Sequence, residues 1–127
     1  MFTYRVDEMP EDLEHWPFVG EASDYKILRG NPKASGRLDI GEADSMHRVG
    51  IWRCTAGAVE CNELGDELQT IVSGRLRMVW PDGSEDFFGP GDSFFTRKGD
   101  RVVWDVLEDV TKVFFTYNRD GKPGADL

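Results

Sequence analysis

The sequence predicts an all-β domain of the sandwich, jelly-roll or barrel kind. From residue 37 onward, apolar runs of three to eight residues alternate with turn-forming clusters, and short strands at near-even spacing build such folds. The runs are rich in Val, Ile, Phe and Trp, which suit a pleated, half-buried surface. No later segment carries convincing helical periodicity.

Residues 1–36 read as a loop-rich lead-in. Pro10 and Pro17 bracket room for one helical turn, since proline opens a helix well and cannot continue one. Gly20, Gly30, Pro32 and Gly36 punctuate the remainder, with a short strand expected near residues 25–28. Strands are then expected at 37–40, 47–54, 59–62, 67–73, 75–80, 86–88, 93–97, 102–106 and 112–118. Their separators are Gly57, Gly65, Pro81-Asp82-Gly83, Gly89-Pro90-Gly91-Asp92, Gly99-Asp100 and Glu108-Asp109. Pro81-Asp82-Gly83 is a turn with a mechanism: proline presets φ, aspartate bonds its own backbone and glycine accepts positive φ. The whole reads as one domain, an extension at 1–36 packing on a barrel at 37–127.

With 127 residues, eight Phe, four Trp and three Tyr, the chain can close one real core. Its formal net charge of −9, from 15 basic and 24 acidic residues, argues against nucleic acid and against anionic membranes. No run approaches the roughly 20 apolar residues of a membrane span. The N-terminus lacks a basic region followed by an apolar one, so no signal peptide is expected and a cytoplasmic location follows. Cys54 and Cys61 would face each other if Gly57-Ala58 were a tight hairpin turn. Two reduced thiols are the plainer expectation in that compartment.

Two stretches resemble the paired motifs of the cupin (RmlC-like) superfamily. The usual first motif ends in a glutamate, six residues and a glycine, and Glu67 and Gly74 match it. Counting back from Glu67 puts Glu63 and Cys61 where two histidine ligands usually stand. In the second motif Gly91-Asp92 and Gly99 fit, but Arg97 replaces a proline, Val102 a histidine and Val106 an asparagine. Of the four usual metal ligands only Glu67 remains. A closer likeness is to a small cupin class related to ureidoglycine aminohydrolase and the ethanolamine-utilisation cupins. It is carried by Val49-Gly50-Ile51-Trp52, Asp66-Glu67, Asp82-Gly83, Gly89-Pro90-Gly91-Asp92 and Trp104 before Lys112. This resemblance implies a double-stranded β-helix, the cupin jelly-roll barrel. It also implies a homodimer, since related cupins pair through sheet faces or exchanged edges. Many members of the class lack the histidines and have no assigned reaction. The aminohydrolase's manganese chemistry does not carry over, because its ligand histidines are absent.

Alternation along strands gives the faces. If Glu67 points inward, so does Gln69; if Val102 does, Trp104 and Val106 follow; Cys61 and Glu63 share a face. With Trp52, these make an acidic, aromatic-walled pocket suited to a small ligand. Two close carboxylates in a partly dry cavity do not both ionise freely, so Glu63 and Glu67 are the candidate acid–base pair. The alternative is structural: Glu67 hydrogen-bonds barrel side chains. A divergent divalent-metal site would use Cys61, Glu63 and Glu67. A metal-free site is preferred, since Val102 leaves that set short. The acidic groups and indoles suggest an amine-bearing or planar, nitrogen-rich ligand. His15 and His47 fall outside both motifs. The Phe-Phe pairs at 87–88, 94–95 and 114–115 put an aromatic on each face of their strands. Their outer rings need cover, from a second subunit or from the extension. The leading expectation is a cofactor-free small-molecule-binding protein. The others are a metal-dependent enzyme of small-metabolite turnover and a dimeric accessory or sensor protein.

Overall fold

The computed structural model describes residues 1–118, and every regular element among them is a strand. The nine are β1 (Glu14–His15), β2 (Lys26–Arg29), β3 (Ala34–Ile40), β4 (His47–Cys54), β5 (Gly57–Asn62), β6 (Asp66–Val79), β7 (Glu85–Phe88), β8 (Ser93–Thr96) and β9 (Arg101–Tyr117). All pairings are antiparallel and join one sheet that curls on itself.

Two long strands explain the curl. β6 and β9 pair along nearly their whole lengths, and each serves both layers. The first part of β6 pairs with β8 and its last part with β7. The first part of β9 pairs with β5 and its last part with β4. One layer is therefore β8-β6-β9-β4-β3-β1 and the other β7-β6-β9-β5-β2. The corner lies where the β6–β9 register shifts, between Ile71 and Leu76. Such bulges bend a strand and increase its twist. Gly74 sits at this bend with φ +88°, and a Cβ there would come within 2.2 Å of the Asp109 carbonyl. Only glycine meets both demands.

The layers face each other through aromatic rings. Trp52 of β4 lies 5.4 Å from Trp104 of β9, and Phe94 of β8 lies 5.7 Å from Trp104, centroid to centroid. Val59, Ile71, Leu76, Met78, Val102, Val106 and Val110 fill the space around them, all essentially buried. Opposite this core, Asp105 takes Arg29 at 2.5 Å and Arg77 at 2.9 Å, tying β2 and β6 to β9.

Several expectations need correction. The strands foreseen at 67–73 and 75–80 are one, as are those at 102–106 and 112–118. Gly74 and Glu108-Asp109 mark bends within strands. The helical turn at 10–17 is replaced by β1, which pairs with Ser35 and Gly36. One turn of helix has little stability of its own, whereas Trp16 gains burial over Gly36 and against Phe114, 6.5 Å away. β3 begins at Ala34, so a boundary at 36/37 falls inside a strand. Gly57-Ala58 opens β5, and β9 runs between β4 and β5. Cys54 and Cys61 are consequently free thiols, both buried. Burial pushes the Cys54 thiol up to about 12.

Candidate functional site

Three strands and one loop place a cluster of polar side chains between the layers. Glu67 and Gln69 are inward-facing on β6, and Lys112 and Thr116 on β9; all four are buried. Lys112, only 4% exposed, donates to Glu67 Oε2 at 2.8 Å and to the Gln69 carbonyl oxygen. Thr116 Oγ1 donates to the other Glu67 oxygen at 2.7 Å, and Gln69 Nε2 donates to Thr96 Oγ1 at 3.1 Å. Every polar end in this chain of contacts has a partner of the right kind, the condition for burying such groups.

The ammonium of Lys112 is also held by rings. It lies 4.3 Å from the Trp104 ring centroid, 4.8 Å from Trp52 and 5.7 Å from Phe114. A desolvated cation over indole faces gains cation–π attraction of about 2 kcal/mol. Trp104 Nε1 then donates to Glu63 Oε1 at 2.9 Å. Glu63 follows β5 in a loop fixed by two backbone bonds, Glu63 N to Asp100 O and Gly99 N to Glu63 O, each 2.8 Å.

Beside these groups is a small cavity. Its charged lining consists of Arg48, Glu63, Glu67 and Lys112; its apolar lining includes Trp52, Trp104, Val59, Cys61, Phe18 and Leu64. About 40 Å³ is open to the centres of water-sized groups, and a water needs about 10–15 Å³ by that measure. The indole N–H of Trp52 is buried and has no acceptor among the described residues. Burial and the neighbouring Glu67 carboxylate raise Glu63 from an ordinary 4.5 to about 7, against the opposing pull of Lys112 and the Trp104 hydrogen bond. Burial likewise pushes the Cys61 thiol far up, so it is neutral and unreactive at physiological pH.

The structure brings Trp52, Cys61, Glu63, Glu67 and Trp104 to one cavity. Gln69 stands behind it, bonded to Lys112, and Val102 is core opposite Cys61. His47 is exposed on the outer face beside Phe115 and Tyr117, and His15 lies on β1. Lys112, Thr116 and Arg48 were missed as site residues. Alternation could have found them: Lys112 and Thr116 flank inward-facing Phe114, and Arg48 is four residues before Trp52 on the same face.

The donor set does not fit a divalent metal. Among the described residues no three His, Cys, Asp or Glu side chains come together as ligands. Cys61 holds its proton, Glu63 partly holds its own, and Glu67 already faces an ammonium. A metal ligand must be deprotonated and free to turn toward the ion.

With fold and site in view, the chain can be placed. The model of the EutQ-like cupin domain matches residues 41–114, and the protein belongs to that family. Among solved structures, the Clostridium difficile EutQ protein is 17% identical with a TM-score of 0.61, over 75% of this chain and 82% of that one. A protein of unknown function from Rhizobium leguminosarum bv. viciae 3841 is 21% identical with a TM-score of 0.56, over 69% and 82%. A DUF861-family protein of unknown function from Pseudomonas syringae pv. tomato DC3000 gives 19% identity and a TM-score of 0.67, over 84% of this chain and 44% of that one. At these identities the likeness is one of fold, the cupin jelly roll. No curated protein matches the chain.

The raised Glu63 pKa has a stability consequence. Between about 4.5 and about 7 the folded protein keeps a proton that the unfolded chain has released. Stability from this group is therefore greatest below that window and falls as pH rises through it, by on the order of 2 kcal/mol allowing for partial exposure. Glu63→Gln should remove that decline, so urea midpoints of the two proteins should converge at acid pH and diverge in the variant's favour at mildly alkaline pH. Parallel profiles would show that Glu63 titrates normally.

Proposed function

We propose that this protein binds a small molecule in its barrel without a metal, and that Glu63 exchanges a proton with it. What supports this reading is the Lys112 ammonium. It sits against Glu67, the one glutamate that matches the usual ligand set, and supplies from the chain itself the positive charge a metal would bring. Glu63, poised near neutrality at the same cavity, is suited to give or take a proton. The amine foreseen for this acidic, aromatic place is already present as Lys112, so an amine-bearing ligand is no longer the favoured one. Elemental analysis of protein purified without chelator should find far less than one equivalent of manganese, iron, nickel or zinc. A stoichiometric metal that disappears in Glu67→Ala would reverse the proposal.

A homodimer is part of the same reading. On the outer face, Phe95, Leu68 and Phe115 are cross-strand neighbours on β8, β6 and β9. They are 52%, 51% and 44% exposed, and the row continues through Val49 to Ile40. The extension covers only part of this face, through Tyr4 to Asp39 and the Pro10 carbonyl to Arg53. An apolar row of this length is the kind of surface a second copy buries. Light scattering should give a dimer for the native chain and a monomer for Leu68→Glu; a native monomer would remove this part. The two free, buried thiols suit a reducing, cytoplasmic setting.

A further inference from the structure

We infer that residues 16–25 form a lid over the barrel cavity, one that opens by a local movement and leaves the barrel folded. The inference goes beyond the binding reading above, because it concerns how anything reaches the cavity. Topology comes first. β1 pairs with β3 in one layer, and β2 pairs with β5 in the other. The ten residues between β1 and β2 therefore cross from layer to layer. They cross at the cavity: Phe18, Ser23 and Tyr25 of this strap belong to its lining. Phe18 packs on Tyr25 with ring centroids 5.2 Å apart, and both rings rest against the core. Whatever enters between the layers here has to move these side chains.

Attachment comes second. The strap is pinned near both ends. At one end Trp16 N donates to Ala34 O at 2.9 Å, and the Trp16 ring lies over Gly36. At the other end the Ser23 carbonyl accepts from Asn62 N at 2.8 Å and from Arg101 at 3.4 Å, and Arg101 also reaches Asp24 at 3.4 Å. Between these pins Pro17, Val19, Gly20 and Glu21 are exposed, and Val19 N bonds back to Pro17 O within the strap. Gly20, at φ +126°, is a pivot between Phe18 and the Arg101 latch. The β6–β9 ladder that builds the barrel does not pass through the strap. An exposed segment held at a few points opens well below the cost of global unfolding. Room comes third. Phe18 turns to the cavity, while its neighbours Pro17 and Val19 border a second, wider space beside Leu38 of β3. About 650 Å³ there is open to the centres of water-sized groups, against about 40 Å³ in the cavity. The strap thus divides a closed cavity from an open groove, and the groove gives Phe18 somewhere to go.

The test needs no ligand, so its outcome is separate from that of the binding reading. Two free thiols serve as reporters: Cys61 lines the cavity, and Cys54 is core outside that lining. The full chain is treated with methyl methanethiolsulfonate, and labelling of each cysteine is followed by mass spectrometry. Native-state hydrogen exchange of the Asn62 amide is measured alongside, in low urea. In the native chain Cys61 should label at least about tenfold faster than Cys54, because it waits only for the lid. The Asn62 amide, bonded to Ser23 O, should exchange faster than the inner amides of β6 and β9 and with little dependence on urea. Phe18→Ala should speed Cys61 labelling about tenfold and Arg101→Met about threefold, with Cys54 unchanged. Equal labelling of the two thiols in the native chain would overturn the inference, as would an Asn62 amide that exchanges only together with those of β6 and β9. So would a Cys61 rate that both variants leave unchanged, since the way in would then lie elsewhere. The first two readings use the native chain, so a variant that failed to fold would not rescue the inference from them.

Discussion

The interior of this barrel depends on one ion pair, Lys112 with Glu67. An ammonium and a carboxylate are both expensive to bury, and each is tolerable because the other is there. The pair is then completed by groups of fixed geometry. Gln69 and Thr116 take the remaining polar valences, and Trp52 and Trp104 cover the cation with their faces. Trp104, so fixed, turns its N–H toward Glu63. Burial raises the proton affinity of Glu63 most, and the pair then adjusts it: Glu67 raises it further while Lys112 restrains it.

An internal ammonium differs from a metal in what it can do. It is a point charge with three donors and cannot open a coordination site. It can hold a carboxylate in place and stabilise nearby negative charge, but it cannot activate water as a Lewis acid does. Proton exchange with a small polar molecule is within its reach when a second group titrates near neutrality. The jelly roll contributes rigidity: β6 and β9 run through both layers, so side chains from the two sides of the cavity ride on continuous backbone.

Much of the fold was legible because turn chemistry and alternation are local signals. Pro81-Asp82-Gly83 and Gly89-Pro90-Gly91-Asp92 marked real turns, and Glu67, Gln69, Val102 and Trp104 face inward as alternation required. Continuity was not legible. Gly74 looks like a terminator, and only the close approach of Asp109 across the ladder reveals it as a bend inside β6. β1 was hidden for a similar reason, since its stability comes from Trp16 settling over a distant glycine. In the site, the wall residues could be named but the cation could not. Lysine on a strand reads as solvent-facing, and its burial becomes affordable only once Glu67, Gln69 and two indoles converge on it in space.

A double-mutant cycle on Lys112→Met and Glu67→Gln, read by urea denaturation, addresses that pair most directly. Lys112→Met alone strands the carboxylate and should cost about 3–5 kcal/mol. Adding Glu67→Gln should return at least about 1 kcal/mol of that loss, a coupling expected of residues in contact. Costs that simply add, or a Lys112→Met protein as stable as the native chain, would mean that the ion pair does not organise the barrel.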